Sequence, residues 1–444
     1  MSHMRTAAAP ARKVTATEAA ALVKSGDWLD FGGCLSQPDV FDRALAARAS
    51  ELTDVGIRSS LCSKPRAVLE ADPAGEHFHW FSWHFTAYER AKSDAGVSHH
   101  LPPNLGEIPD YYRRFIDPID FVVLKVRPAD NGFFSFGPTN GWHRALIERA
   151  KTMIVETSSA VPFVRGPANG IHVSEVDYII EGDNAPLSEL PSPPFTEVDR
   201  AVARQVGAEV EDGACLQIGI GGMPNAVCSL LRGSGAKDLG VHTEMLTDSL
   251  IELYQAGVVT GARKQLDPGK LVFTFAWGLQ SMYDAIDGNP DMWCCPTDYT
   301  NLPHIIMQND RVVAINNTTQ MDLQGQAASE SDGHRHISGT GGQLQYARGA
   351  YASKGGKSFM CLSSVYEKKG VRRSRIVLEL TPGNIVTTPR TDMMYVVTEY
   401  GMVNLKGKSI PERARAMISV AHPDFREELE RQAFEHRLIP RALR

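Results

Sequence analysis

At 444 residues the chain has room for two domains of ordinary size, and its 43% hydrophobic content supplies a sizeable core. A formal net charge of −6, with no basic face, excludes nucleic acid as a main partner. No window approaches the roughly 18 uninterrupted apolar residues of a membrane span.

The seven cysteines, Cys34, Cys62, Cys215, Cys228, Cys294, Cys295 and Cys361, are odd in number, irregularly spaced and without a C-x-x-C pair. That pattern suits buried thiols in a reducing cytoplasm better than disulfides or zinc. At the amino end, Met1-Ser2-His3-Met4 looks like a cloning remnant, and the Ala-rich Arg5–Lys13 reads as a tail.

Thr15-Ala16-Thr17-Glu18 has the form of a capping box and predicts a short helix over 18–24, ended by Ser25-Gly26-Asp27. Trp28–Phe31 predicts a strand closed by Gly32-Gly33, residues 40–48 a helix and 56–62 a second strand. This is the cadence of a parallel α/β sheet. His77 and His79 fall on one face of an aromatic strand, but no Asp, Glu or Cys stands at ligand spacing. The stretch therefore reads as a strand rather than a metal site. Beyond His99-His100, the stiff loop Leu101–Pro109 is suited to walling a pocket or to forming an ordinary surface connection. Phe121–Val126 is a buried parallel-type strand, and Asn131-Gly132 marks a tight turn after it. Residues 151–156 form another strand, and the proline-rich, acidic Glu181–Thr196 is a linker.

The second half repeats this cadence: a helix over 197–210, a strand over 215–220, a glycine turn into a helix over 221–232, and a strand over 312–317. The run Met321–Gln326 echoes that around Asp130 at a domain-sized interval of roughly 190 residues. The expected organisation is two similar α/β halves, residues 5–190 and 191–444.

Four stretches of the second half carry candidate chemistry. Gly219–Asn225 brings backbone amides close to a ligand, although by itself it is equally a tight strand–helix turn. Glu244 stands among apolar neighbours, Val241, Met245 and Leu246. Such a setting desolvates a carboxylate and strengthens it as a nucleophile, whereas an isolated Glu is more often a cap or an ion-pair partner. Asn301, in Tyr299-Thr300-Asn301-Leu302-Pro303, can turn its amide towards an oxyanion, or simply serve the turn. Ser338-Gly339-Thr340-Gly341-Gly342-Gln343 forms a second glycine loop, followed by Lys354-Gly355-Gly356-Lys357, which can reach a phosphate or a thioester carbonyl. No Gly-x-Ser-x-Gly elbow or P-loop is present, so serine hydrolase and ATPase readings lack footing.

With the runs Pro102–Pro109, Asp130–Gly137, Gly219–Val227, His242–Met245, Ser353–Ser358, Thr388–Asp392, Val397–Gly401 and Ala421–Arg426, the sequence resembles the acetyl-CoA hydrolase/transferase family. These are class I CoA-transferases, and the likeness is to the 4-hydroxybutyrate and butyryl-CoA:acetate branch, over nearly the whole chain after residue 15. The resemblance implies two open α/β domains with the active site between them, and Glu244 as a nucleophile that becomes a glutamyl-CoA thioester in a ping-pong exchange. It implies oxyanion donors at Asn301 and the Gly342 amide. It also implies a CoA cradle of Gly221, Gly222, Met223, Pro224 and Asn225, with Ser338, Gly341 and Lys354. Coenzyme A then enters as a substrate, with no tightly bound cofactor and no metal, and the protein is expected to be a cytoplasmic homo-oligomer. Acceptors consistent with the likeness are acetate, butyrate, 4-hydroxybutyrate and dicarboxylates such as succinate or itaconate. The competing readings are an acyl-CoA hydrolase using the same Glu244 and a non-catalytic CoA- or metabolite-sensing module.

Overall fold

The computed structural model describes residues 5–440, so Met1-Ser2-His3-Met4 lies outside the described residues. The described chain forms two compact units. The first takes in the chain up to Pro191 together with Val272–Thr300 and Ile337–Gly341, and the second takes in Ser192–Leu271, Asn301–His336 and the chain from Gly342 onward. A division at residues 190 and 191 gives the second domain two segments, 272–300 and 337–341, that cluster with the first unit. The chain returns to the first unit twice, and no composition shift announces either crossing.

The first unit is an eight-stranded parallel sheet in the order Arg12–Lys13, Tyr178–Glu181, Thr152–Thr157, Phe121–Val126, Trp28–Asp30, Val55–Ser59, Phe78–Ser82 and Ser98–His100. Strand Phe121–Val126 lies where its apolar run predicts, because both of its faces are covered. Phe121 and Val123 pack into one core with Phe41, Leu45 and Trp80, and Val122, Leu124 and Val126 pack into the other with Tyr112, Leu146 and Ile147. Asn131 and Gly132 form the expected tight turn at φ 49° and 82°, closed by Asp130 and Phe133, which exchange backbone hydrogen bonds of 2.9 and 3.0 Å. The Thr15 capping box is also present, but it starts the helix earlier, at Ala16–Ala20 rather than 18–24. Tight bonds from the Leu22 and Val23 amides to Ala19 and Ala20 end it, and Asp27 Oδ2 then accepts from the Lys24 amide at 2.7 Å. Leu101 and Pro102 of the stiff loop line a cavity with Trp83, Tyr111, Phe115 and Ile116.

The second unit repeats this wiring. Parallel strands run in the order Gly240–His242, Cys215–Ile218, Val312–Asn317, Lys357–Cys361 and Tyr395–Thr398, and Gly401–Asn404 adds antiparallel to the last. In each unit a capped helix (Thr15 or Thr196 as the cap) precedes the central strand. A helix comes after that strand, the next strand pairs with it on one side, and Phe121–Val126 or Val312–Asn317 pairs with it on the other. The duplication suggested by the echo around Asp130 and Asp322 is thus visible as a shared strand order. Each sheet reverses direction of growth beside its central strand, and at such a switch point the carboxyl ends of the strands leave a crevice.

All seven cysteines are buried and free, as their spacing suggested. Among the described residues no three His, Cys, Asp or Glu side chains are gathered as ligands for a metal ion, and no helix is long and apolar enough to cross a membrane.

Candidate active site

The site of interest lies at the carboxyl ends of the second unit's strands. Strand Gly240–His242 pairs with Cys215–Ile218 in the register Cys215 to Gly240 and Leu216 to Val241, so that Glu244 emerges two residues beyond the strand's end. Its neighbours Thr243 and Met245 are buried, and the Thr243 hydroxyl donates to the Met245 carbonyl at 3.2 Å, fixing the bend.

Asn301 is fully buried just ahead of helix Pro303–Ile306, and its Nδ2 donates to Glu244 Oε2 at 2.6 Å. The backbone amide of Gly342 donates to the same carboxylate. Gly342 caps helix Gln343–Ala352, and a side chain there would have nowhere to go. A Cβ would fall less than 3.0 Å from both Glu244 Oε2 and Asn301 Nδ2, and 3.1 Å from the Tyr346 ring. The glycine loop of the sequence is therefore a matter of approach distance: it allows the backbone to touch the carboxylate.

Burial pushes the Glu244 pKa up to about 7, and the hydrogen bonds from Asn301 and Gly342 offset part of that rise. Such a carboxylate is poorly solvated when charged, yet a large fraction of it is ionised near neutral pH. Two N–H donors aimed at one carboxylate are also what an oxyanion at that position requires. Glu244, Asn301 and Gly342 are thus brought together as one cluster.

The first glycine turn is built differently from a simple loop. Gly221 adopts φ 123°, a conformation that disfavours any other residue, and caps helix Gly222–Gly233 without a side-chain hydrogen bond. Met223 and Pro224 are buried in its first turn, and Asn225 Nδ2 reaches the Pro193 carbonyl at 3.4 Å. Asn317 Nδ2 donates to the Ile220 carbonyl at 3.4 Å, tying the turn to the neighbouring strand across the switch point. Pro224 has no N–H, so within the turn it contributes shape and not a donor.

The other expected cradle residues are distributed. Ser338 and Gly341 belong to the first unit, where their carbonyls accept from the amides of Phe85 (3.4 Å) and Leu105 (3.1 Å). Lys354 precedes strand Lys357–Cys361, and its carbonyl accepts from the Arg311 amide at 2.8 Å. Lys357 is ion-paired with Glu209 at 2.8 Å. Both lysines therefore stand at the amino-terminal rim of the sheet, a strand's length (roughly 13 Å at 3.3 Å per residue) from the glycine turn. Parallel strands send all their amino ends to one edge of the sheet and all their carboxyl ends to the other. The spacing of Lys-Gly-Gly-Lys in sequence does not reveal which edge it occupies.

Two features escaped the sequence reading. Gln343 donates to the Asn317 carbonyl at 2.8 Å and accepts from the Ser329 and Thr388 hydroxyls at 2.9 and 3.1 Å, holding the segment that carries the Gly342 amide. A cavity of about 260 Å³ also opens at the switch point, between Gly222 and Arg375. A glutamine beside a glycine loop and one arginine among many carry no distinguishing signal in a single sequence.

Comparison with known proteins bears on this arrangement. Residues 3–191 match the acetyl-CoA hydrolase/transferase N-terminal domain, and residues 278–433 match the C-terminal domain of the same family. Glu244 and the first glycine turn lie between the two matched stretches. The chain is 44% identical over 423 residues to the butyryl-CoA:acetate CoA-transferase of Anaerostipes caccae, covering 94% of this chain and 95% of the relative. It is 42% identical over 337 residues to the 4-hydroxybutyrate coenzyme A transferase of Clostridium kluyveri, covering 76% and 77% of the two chains. The crystal structure of RipA from Yersinia pestis superposes with a TM-score of 0.89 at 39% identity, covering 96% of this chain and 98% of that one.

Proposed function

From the premise that this chain belongs to the acetyl-CoA hydrolase/transferase family, we propose that it moves CoA between a short-chain acyl-CoA and a free carboxylate, with Glu244 as the covalent nucleophile. The observation that carries the reading is the Glu244 carboxylate, with a pKa of about 7, held by Asn301 Nδ2 at 2.6 Å and by the Gly342 amide.

The reaction proceeds in two mirrored halves. A Glu244 oxygen attacks the thioester carbonyl, the C–S bond breaks, and the products are an acyl-glutamyl anhydride and CoA thiolate. The thiolate then attacks the glutamyl carbonyl, releasing the first carboxylate and leaving a glutamyl-CoA thioester. An incoming carboxylate reverses both steps and departs as the new acyl-CoA. Each tetrahedral adduct on the glutamyl carbon places negative charge on the oxygen that Asn301 and Gly342 already face, so those donors need no reorganisation as charge develops. Thioester is exchanged for thioester, so no ATP is required, and the kinetics are ping-pong.

The relatives support a monocarboxylate of two to four carbons as one partner, because their names pair butyryl-CoA with acetate, or carry 4-hydroxybutyrate. Dicarboxylates such as succinate or itaconate belong in the same assay panel. On this reading coenzyme A is a substrate and no cofactor is tightly bound. The buried free thiols suit a reducing cytoplasm. Water in place of the second carboxylate turns the same intermediate into a hydrolase product, a reading that the family's own name keeps in view.

The test is chemical. Enzyme incubated with acetyl-CoA and treated with borohydride is expected to show reduction of a thioester at Glu244 by peptide mass spectrometry, and Glu244→Ala is expected to lose both the trapped product and the exchange. Full transfer activity in Glu244→Ala would refute the mechanism. Release of free CoA, without added carboxylate, at the rate of transfer would favour the hydrolase.

A further inference from the structure

The two donors that meet Glu244 are held in different ways. Asn301 is fully buried just ahead of helix Pro303–Ile306, so its own surroundings fix its side chain. The Gly342 amide comes from a segment that cannot steer itself. Position 342 has no room for a Cβ, and Gly339-Thr340-Gly341 before it holds two more glycines, one of them at φ 58°. Glycine-rich backbone gives up the most conformational freedom on ordering, so a donor carried on it is aimed only where an adjacent residue is anchored.

The next residue supplies that anchor. Gln343 opens helix Gln343–Ala352, and its carboxamide is engaged at both ends. Nε2 donates to the carbonyl of Asn317, the last residue of strand Val312–Asn317, at 2.8 Å. Oε1 accepts from Ser329 Oγ at 2.9 Å and from Thr388 Oγ1 at 3.1 Å.

Each of these partners is fixed in its own right. The strand is paired on both sides, with Cys215–Ile218 and with Lys357–Cys361. Thr388 is fully buried and its amide donates to the Ala327 carbonyl at 3.2 Å, while the Ser329 amide donates to Thr387 Oγ1 at 3.0 Å. Three anchors on one planar group set both its position and its plane. Behind Gln343, the Tyr346 amide holds the Gly342 carbonyl at 2.8 Å. A side chain that serves the start of a helix caps its first amides. Gln343 reaches three other segments of the second unit instead.

We propose that Gln343 is a positioning residue for the reaction, aiming the Gly342 amide at the Glu244 carboxylate and at the oxyanion that forms there. Its part in transfer rests on the CoA-transferase reading, but the aim of the amide can be measured in the resting protein. Burial raises the Glu244 pKa to about 7, the hydrogen bonds from Asn301 and Gly342 lower it, and no charged group is among the causes. Misalignment of the Gly342 amide therefore raises that pKa further.

Gln343→Met keeps the length of the side chain and removes all three hydrogen bonds. The carboxyl stretch of Glu244 can be followed against pH by infrared difference, with Glu244→Gln as the blank. Its midpoint is expected to move up by roughly half a pH unit or more in Gln343→Met. The kcat for transfer is expected to fall by about 10–10² with KM for acetyl-CoA little changed. An identical Glu244 titration in Gln343→Met and wild type refutes the positioning role, whatever happens to the rate. Should Gln343→Met not fold, the double variant Ser329→Ala, Thr388→Val frees Oε1 and leaves Gln343 in place. A smaller move in the same direction is expected there, and an unmoved titration refutes the role equally. If the titration moves as expected and yet the wild type transfers nothing, the positioning role stands and the proposed reaction falls.

Discussion

Gly342→Ala tests the site at its tightest point. The backbone at this position, φ −98° and ψ 6°, is open to alanine, so the substitution introduces no conformational strain of its own. What it introduces is one methyl group. The new Cβ would stand under 3.0 Å from Glu244 Oε2 and from Asn301 Nδ2. Ordinary contact between heavy atoms is about 3.5 Å, so the carboxylate and the amide must retreat by roughly an ångström. That shift breaks the hydrogen bond from the Gly342 amide and misaligns the one from Asn301. A misplacement of this size costs about 10²-fold in rate, and loss of one oxyanion donor costs about 10²–10³. Transfer between acetyl-CoA and butyrate, followed by mass spectrometry of the CoA products, is therefore expected to slow by about 10²–10³ in kcat, with circular dichroism unchanged. The borohydride-trapped thioester should fall in step. A Gly342→Ala enzyme within threefold of wild type would show that the close approach of backbone to carboxylate has no part in the chemistry.

Three other outcomes stem from the same geometry. Because Glu244 must be ionised to attack and has a pKa of about 7, the rate of thioester formation in a single turnover is expected to fall tenfold per pH unit below about 7, and to level off above it. Asn301→Ala removes a hydrogen bond that lowers that pKa, so the acid limb should move to higher pH while the plateau rate drops; an acid limb left in place would contradict the assigned contact. Stability should show the opposite sign. The Glu244 pKa is raised from 4.5 to about 7 in the folded state, so its contribution is fully present below pH 4.5 and is lost as pH rises through 7. Glu244→Gln is thus expected to be more stable than wild type at pH 8, by at most about 3 kcal/mol, and to lose that advantage at pH 4, as read by urea denaturation. Away from the site, Gly132→Ala, at φ 82° and with its Cβ 3.1 Å from His172 Nε2, is expected to cost about 1 kcal/mol in the same urea assay.

Much of the architecture was legible because it obeys local rules. The run Phe121–Val126 is apolar on both faces, and only a strand covered on both sides accommodates that. Asn131-Gly132 reads as a turn because both residues tolerate positive φ. Glu244 was legible as a carboxylate in apolar surroundings, and its neighbourhood does raise its pKa. What the sequence concealed depends on the direction of the sheet. Lys354 and Lys357 come soon after the second glycine loop, but they precede their strand and so lie at the rim opposite the crevice. Arg375 comes after that strand, beyond the hairpin formed by Val365–Lys368 and Val371–Ser374, and returns to the crevice by hydrogen-bonding Thr319. Both placements are decided by the parallel topology, which residue spacing alone does not encode.

The two units also show how one arrangement of strands serves two ends. In the first, the crevice at the switch point is closed by the chain's own groups: Glu156 caps the helix, and Asp39 is ion-paired to Lys64, Lys125 and Arg66. In the second, the equivalent helix starts with Gly221 and Gly222, and among the described residues its leading amides find no acceptor and Arg375 no carboxylate. Internal ion pairs stabilise an element only if both partners are supplied, and removing one leaves the other as a demand for a ligand. The register of the two sheets places Cys361 where the first unit has Glu156, so the helix is kept without the carboxylate that caps it and the crevice stays open. The converse substitution, Cys361→Glu, places a carboxylate where the first unit has Glu156. By accepting from the leading amides of helix Gly222–Gly233, it is expected to raise the melting point of the free protein. If the melting point instead fell or stayed where it was, the equivalence drawn between the two crevices would not hold.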